Sequence, residues 1–372
     1  MGLPIGWLRH NFLLPSETFI YSSMCSVRDA GLPIKVLAIH RHNQDRFPWP
    51  DVTVLGDRPA EVALYWTTGW SPRQDRWARS IRLVHAHMGY TGVFALGAAR
   101  RHRLPLVTSF YGQDVTLAGS RDRFLPDYWP YTLQRRRLFR RGDRFLVLSR
   151  HMRAALIAQG CPEHKLRIVR LGVDLSRFDP EHHVADTGPL RVLMVGREVD
   201  KKGFDDGLRA CARARHDGTA LTLTILGTGG PLRQDLTRLA DELHLPVTWP
   251  DPRNPVPAAM ANADVLLVPS RTAADGDQEG TPTVICEGSA AGLPIVSTRD
   301  AGIPEQVDHI ATGLLVPERD VAGLAAALTE LASDAPRRRA LGLAGRAKMQ
   351  AEYSLTAHRD ALLAVYAELL PA

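Results

Sequence analysis

The sequence predicts an α/β protein built from two successive parallel-sheet domains. Short aliphatic and β-branched runs alternate with helical stretches along all 372 residues. That is the pattern of strands joined by crossover helices. The length suits about two average domains. A polar stretch containing Pro and Gly, 174–189, lies between two halves of opposite charge, as a linker would. Residues 1–180 carry 27 Lys and Arg against 14 Asp and Glu, a net of +13, while 181–372 carry a net of −7.

The elements follow in order. Strands are predicted at 5–8, 34–39, 84–87, 106–109, 145–148 and 167–171 in the first half. In the second they are predicted at 190–195, 221–226, 247–249, 265–268, 295–297 and 314–316. Each is a short apolar run bounded by charged, Gly or Pro residues. Leu324, Leu328 and Leu331 mark a helix, and Leu362, Leu363, Tyr366 and Leu369 mark a terminal one. The expected division is a first domain at 1–178, a second at 189–355 and a C-terminal helix at 356–372.

Apolar residues at 45% and charged residues at 23% describe an ordinary globular composition. No run approaches the ~18 apolar residues of a membrane span. The opening residues lack a signal-peptide layout, so a cytoplasmic location is expected. Cys25, Cys161, Cys211 and Cys286 form no C-x-x-C pair. Reduced thiols are expected, with neither a disulfide framework nor a zinc knuckle.

The densest chemistry lies in Gln278-Glu279-Gly280-Thr281-Pro282-Thr283-Val284-Ile285-Cys286-Glu287. Thr281 is a good helix N-cap and Pro282 suits the first helical position. Gly292 ends the helix and Pro294 cannot continue it. Glu279 then stands on the loop at the positive helix end, an anion site, with Glu287 about one and a half turns inside. Two carboxylates beside an anion site suit the hydroxyls of two rings, such as the ribose and hexose of a nucleotide sugar.

A second cluster opens the second half: Val195-Gly196-Arg197-Glu198-Val199-Asp200-Lys201-Lys202-Gly203. Cations just past a strand end suit phosphate, Arg as a fork and Lys as a point charge. Gly227-Thr228-Gly229-Gly230 follows the next strand, without the spacing of a dinucleotide fingerprint or a P-loop. In the first half stand Pro15-Ser16-Glu17-Thr18-Phe19-Ile20, His85-Ala86-His87 and Phe110-Tyr111-Gly112-Gln113-Asp114. Ser16 reads locally as an N-cap with Glu17 in the first helical turn. The two histidines have no third ligand spaced nearby, so a cleft position for His87 is favoured over a metal site.

These motifs together resemble the retaining glycosyltransferases of family 4, and Ser16 to Ile20 resembles their bacterial exopolysaccharide branch. The resemblance rests on the E-x7-E pair Glu279 and Glu287, on Gly196-Arg197 with Lys202-Gly203, and on Gly292-Leu293-Pro294 and Ala301-Gly302-Ile303-Pro304-Glu305. It implies a GT-B fold, two Rossmann-like domains facing a central cleft, with the C-terminal helix packing back on the first. It implies transfer of a sugar from a UDP- or GDP-sugar to a carbohydrate or lipid-linked acceptor in polysaccharide assembly. No cofactor, metal or nucleic acid is called for. Arg197 and Lys202 would clamp the diphosphate, Glu279 would hold the transferred sugar and Glu287 the ribose. Gly280, Thr281, Pro282 and Thr283, with Gly196, Gly227 and Gly229, would line the donor site. Ser16, Glu17, His87, Tyr111 and Asp114 would face the acceptor.

One departure is Tyr111, which stands where the family commonly has a histidine. A phenol hydrogen-bonds but does not titrate near neutrality. Asp275-Gly276-Asp277 imitates a metal-binding D-x-D, and an acidic loop is the favoured reading. The +13 half, with Arg135, Arg136, Arg137, Arg140, Arg141 and Arg144, admits an anionic membrane as partner, hence a peripheral place on its inner face. The alternative is a solvated arginine-rich face. Other functions compatible with the sequence are glycosylation of a small molecule of antibiotic type and a catalytically silent binding or membrane-docked scaffold.

Overall fold

The computed structural model describes residues 3–14, 17–116, 128–179, 187–227 and 229–370. The chain divides into two compact units, Met1–Gly172 with Leu355–Ala372, and Val173–Ser354.

The first unit holds a seven-stranded sheet: β1 (Ile5–Phe12), β2 (Ile34–Arg41), β3 (Val52–Val54), β4 (Leu83–His87), β5 (Leu106–Ser109), β6 (Arg144–Val147) and β7 (Leu166–Ile168). Its order is β3-β2-β1-β4-β5-β6-β7, with every pair parallel. The second unit holds six strands: β8 (Leu190–Gly196), β9 (Leu221–Gly227), β10 (Val247–Thr248), β11 (Val265–Val268), β12 (Ile295–Thr298) and β13 (Gly313–Val316). Their order is β10-β9-β8-β11-β12-β13, again all parallel.

Helices cover both faces of such sheets, so central strands are apolar throughout rather than alternating. Val265-Leu266-Leu267-Val268 is buried at all four positions. Strand order reverses between β1 and β4, and between β8 and β11. The loops leaving the carboxyl ends of strands at such a switch point are where α/β folds bind ligands. Strand β3 has no counterpart in the sequence reading. It is three residues long at the sheet edge and half-buried, too short to show a period.

The linker residues 173–178 belong to the second unit, not to the first half. Val173 N–H donates to Tyr353 O at 2.7 Å, and Phe178 packs in a second-unit core beside Val195 and Leu226. Burial of these two apolar residues fixes the segment. The helix Leu355–Ala367 belongs to the first unit. Its Tyr366 hydroxyl lies 2.7 Å from His85 Nδ1, and His358 lies 2.7 Å from both Ser23 Oγ and Arg170 O. Glu368, just beyond it, pairs with Arg144 at 2.7 Å and Arg167 at 2.8 Å. Among the described residues no helix is long and apolar enough to cross a membrane.

Candidate active site

In the second unit β8 and β9 end side by side, with Gly196 in register with Gly227. Gly196 has φ +150°, which L side chains rarely adopt. A Cβ on Gly227 would fall 1.8 Å from Glu198 Oε1. Both ends therefore stay glycine: one for its backbone conformation, the other because the buried Glu198 carboxylate packs directly on its backbone.

Past Gly196 the chain makes a 3-10 turn at Asp200–Lys202. Lys202 Nζ lies 2.7 Å from Glu279 Oε1, and Lys201 Nζ lies 2.8 Å from Asp277. Glu279 is 8% exposed. Burial pushes its carboxyl up, but Lys202, Lys201 and Arg197 outweigh that and hold it below the usual range. Glu287 differs. Burial raises its carboxyl to about 7 against the pull of Arg177 and Lys202. Lys202 thus acts on both glutamates. Arg197 is exposed and its side chain has no hydrogen bond or ion pair among the described residues, so its guanidinium is available to a ligand.

The helix carrying Glu287 runs Thr283–Ala290. It starts later than the sequence indicates. Pro282, with ψ 117°, is the half-in residue, and Thr281 lies outside the helix. Pro282 lacks a donor and its ring fixes φ, so it serves at the cap as well as one position on. The Thr281 hydroxyl caps nothing and is buried without a partner. Gly292 takes φ +76° as expected. Gly280 is buried beside Thr281. Asp277 N–H donates to Asp275 Oδ1 at 3.0 Å, so the D-x-D segment closes on itself. Among the described residues no three His, Cys, Asp or Glu groups are arranged to hold a metal.

Four features escaped the sequence reading. Glu198 is buried, and Arg233 donates to its Oε1 at 3.1 Å while the Arg233 guanidinium lies 3.8 Å over the Trp249 ring. Arg271 is clamped by Asp200 at 2.6 Å, Asp206 at 2.7 Å and Asp205 at 3.0 Å, which anchors the Lys202 turn. Arg177 acts on Glu287 from the linker. Asp300 is 0% exposed and neither of its oxygens makes a hydrogen bond of good geometry. Burial, then the Glu318 and Glu279 carboxylates, push its carboxyl up to about 7 against the Glu279 backbone N–H and Lys201. Only Glu198 had a local signal, an acid between Arg197 and the glycine turn. The Glu198 backbone also packs tightly on Gly230, where a Cβ would fall 2.3 Å from Glu198 O.

In the first unit the predicted residues join one network. Arg9 NH2 pairs with buried Glu17, and Arg9 NH1 donates to His87 O at 3.3 Å. His87 Nδ1 lies 2.6 Å from the Tyr111 hydroxyl. Burial, then His85 and Arg9, hold His87 well below its ordinary pKa, and burial raises the Tyr111 phenol. This pair therefore stays neutral near pH 7. The helix starts at Thr18, with Glu17 as its half-in residue. The Glu17 carboxylate turns to Arg9 and to Leu14 N–H at 2.9 Å instead of the helix. Asp114 accepts from Gly89 N–H at 2.8 Å, Tyr111 N–H at 3.0 Å and Gly112 N–H at 3.1 Å. It is 2% exposed, and its carboxylate ties the start of the helix Gly89–His102 to the turn at Tyr111 and Gly112. Ser16 and Thr228 lie outside the described residues.

The geometry can be set beside known proteins. Residues 189–334 match the family model described as glycosyl transferases group 1, and 17–177 match that of Glycosyltransferase Family 4. WcaL of Escherichia coli (strain K12), named for colanic acid biosynthesis, is 38% identical over 89% of this chain and 92% of its own length. The amylovoran biosynthesis glycosyltransferase AmsK of Erwinia amylovora is 35% identical over 74% of this chain and 67% of its own. Anabaena Alr3699/HepE, solved with UDP and glucose, shares the fold at TM-score 0.80 and 18% identity, covering 99% of this chain and 100% of its own. With its two parallel-sheet domains of GT-B type, the chain belongs to glycosyltransferase family 4.

Proposed function

We propose that the protein transfers a sugar from a nucleoside-diphosphate sugar, UDP- or GDP-linked, to a carbohydrate or lipid-linked acceptor in polysaccharide or glycoconjugate assembly. The observation that carries this is Lys202, ion-paired to Glu279 at 2.7 Å and acting on Glu287 as well. A cation paired with one carboxylate and within electrostatic reach of a second, beside a helix start, suits a diphosphate flanked by two polyhydroxyl rings. The names of WcaL and AmsK support the polysaccharide setting. The UDP and glucose bound by HepE support the donor class.

In this reading Arg197, Lys202 and the N–H groups at Thr283 hold the diphosphate, Glu279 accepts hydroxyls of the transferred sugar, and Glu287 those of the ribose. The anomeric carbon–phosphate oxygen bond breaks as the acceptor oxygen bonds to the same face. The acceptor proton passes to the departing phosphate oxygen, so configuration is retained. Lys202 and Arg197 stabilise the charge that develops on the leaving diphosphate. Tyr111, neutral and bonded to His87, orients rather than shuttles protons.

Thermal shift against UDP- and GDP-sugars, followed by donor turnover and the anomeric form of the product, tests this. Stabilisation by one nucleotide and a retained anomer are expected; no turnover of any donor would leave a silent binding protein. Replacing Arg197 by Ala should weaken free nucleoside diphosphate roughly tenfold, the loss of a charge-assisted bond, as isothermal titration would measure. Turnover should persist in excess EDTA. Loss there, restored by magnesium or manganese, would bring a metal into the mechanism.

A further inference from the structure

The helix Trp129–Arg141 in the first unit presents two unlike faces. Tyr131, Leu138 and Phe139 are buried against the core that includes Phe110 and Phe145. The other face carries Trp129, 58% exposed, then Leu133, 65% exposed, one turn on. Arg136, Arg137 and Arg140 continue the same stripe at i+7, i+8 and i+11 from Trp129, and Arg141 flanks it, all exposed. The helix contains no carboxylate. Lys165 Nζ caps its far end, bonding Arg140 O at 2.9 Å and Gly142 O at 2.7 Å.

The arginines are not neutralised from elsewhere. Among the described residues none of Arg136, Arg137, Arg140 and Arg141 has an ion pair; Arg137 reaches only Gln134, at 3.3 Å. Arg100, from the end of the neighbouring helix Gly89–His102, adds a further cation beside Arg141. Repulsion from Arg100 first, then burial, then Arg137 and Arg140, lowers the Arg141 pKa. Such a cluster is held together against its own charge and calls for an anionic partner. A merely solvated face would not also expose an indole and a leucine in line with it.

We propose that this helix face docks on an anionic lipid membrane, with Trp129 and Leu133 entering the interface and Arg136, Arg137, Arg140 and Arg141 meeting lipid phosphates. Indole rings favour the headgroup level, and a basic amphipathic helix lies in that plane. The attachment is independent of the sugar-transfer reading, since none of these residues belongs to the donor or His87 networks.

Vesicle cosedimentation tests it on the whole chain. Vesicles of equal parts phosphatidylglycerol and phosphatidylcholine should bind at low salt and release the protein as salt rises. Pure phosphatidylcholine should bind little. Each arginine contributes roughly fivefold near such a surface, so changing all four to Gln should lower binding at least ~100-fold. The four Arg→Lys changes keep the charge and should keep most of the binding. Trp129→Ala with Leu133→Ala should cost roughly tenfold and leave the salt dependence in place. Equal binding to both vesicles, or an unchanged Gln variant with unchanged melting, would overturn the proposal. So would tight binding of a single-stranded oligonucleotide with none to vesicles.

Discussion

Replacing Glu279 by Gln should lower kcat on the order of 100-fold while the protein stays folded. The substitution keeps shape and hydrogen-bonding capacity but removes the charge that Lys202 meets at 2.7 Å. A bond to a charged acceptor is worth roughly 1.5–3 kcal/mol, or about 10- to 150-fold in rate when it forms with the transition state. Two effects then add. The sugar loses a charged acceptor for its hydroxyls, and Lys202 swings free of the carboxylate that positions it. Glu287→Gln should weaken the nucleotide more than it lowers turnover, because its ring does not react. The pair Glu279→Gln and Lys202→Met should be strongly non-additive, since each change removes the other's partner. Steady-state kinetics with a confirmed donor, alongside thermal melting, decides it. A Glu279→Gln enzyme with wild-type kcat would remove this residue from the reaction.

The sheet strands were legible because parallel strands buried on both faces read as unbroken apolar runs. Val265–Val268 and Ile295–Thr298 sit where such runs predicted, give or take a residue. The edge strand Val52–Val54 was not legible, being too short to carry a pattern. The helix stop at Gly292 was legible too, because a left-handed glycine followed by a proline is signalled within a few positions. The rest depends on packing between distant segments. Arg271 lies some seventy residues from the aspartates it joins. Nothing near Arg9 in sequence announces that it links Glu17 to His87. Asp114 resembled a ligand-facing acid, yet three backbone N–H groups consume its carboxylate. Asp300 is the extreme case. Its local context is an ordinary turn, and only burial among other carboxylates gives it its character.

That burial makes Asp300 the source of a pH-dependent loss of stability. Its carboxyl titrates near 3.8 when unperturbed and at about 7 in the folded protein. Between those values the folded state holds a proton that the unfolded state has released. Stability therefore falls as pH rises through this window, by about 1.4 kcal/mol per unit, and levels off above pH 7 and below pH 4. Over roughly three units the cost reaches about 4 kcal/mol at most. Asp300→Asn never acquires the charge. Its stability relative to wild type should rise steadily from pH 4 to pH 7, whatever constant offset the new amide brings. Urea denaturation at half-unit steps of pH reads this slope directly. In the Glu279→Gln background the window should close at a lower pH and the total fall should shrink, because Glu279 is one of the carboxylates that raise Asp300. A wild-type-to-variant difference that does not change with pH would mean that Asp300 is ionised throughout, held by a donor. It would then belong among the charged acceptors beside Glu279 instead of the neutral acids.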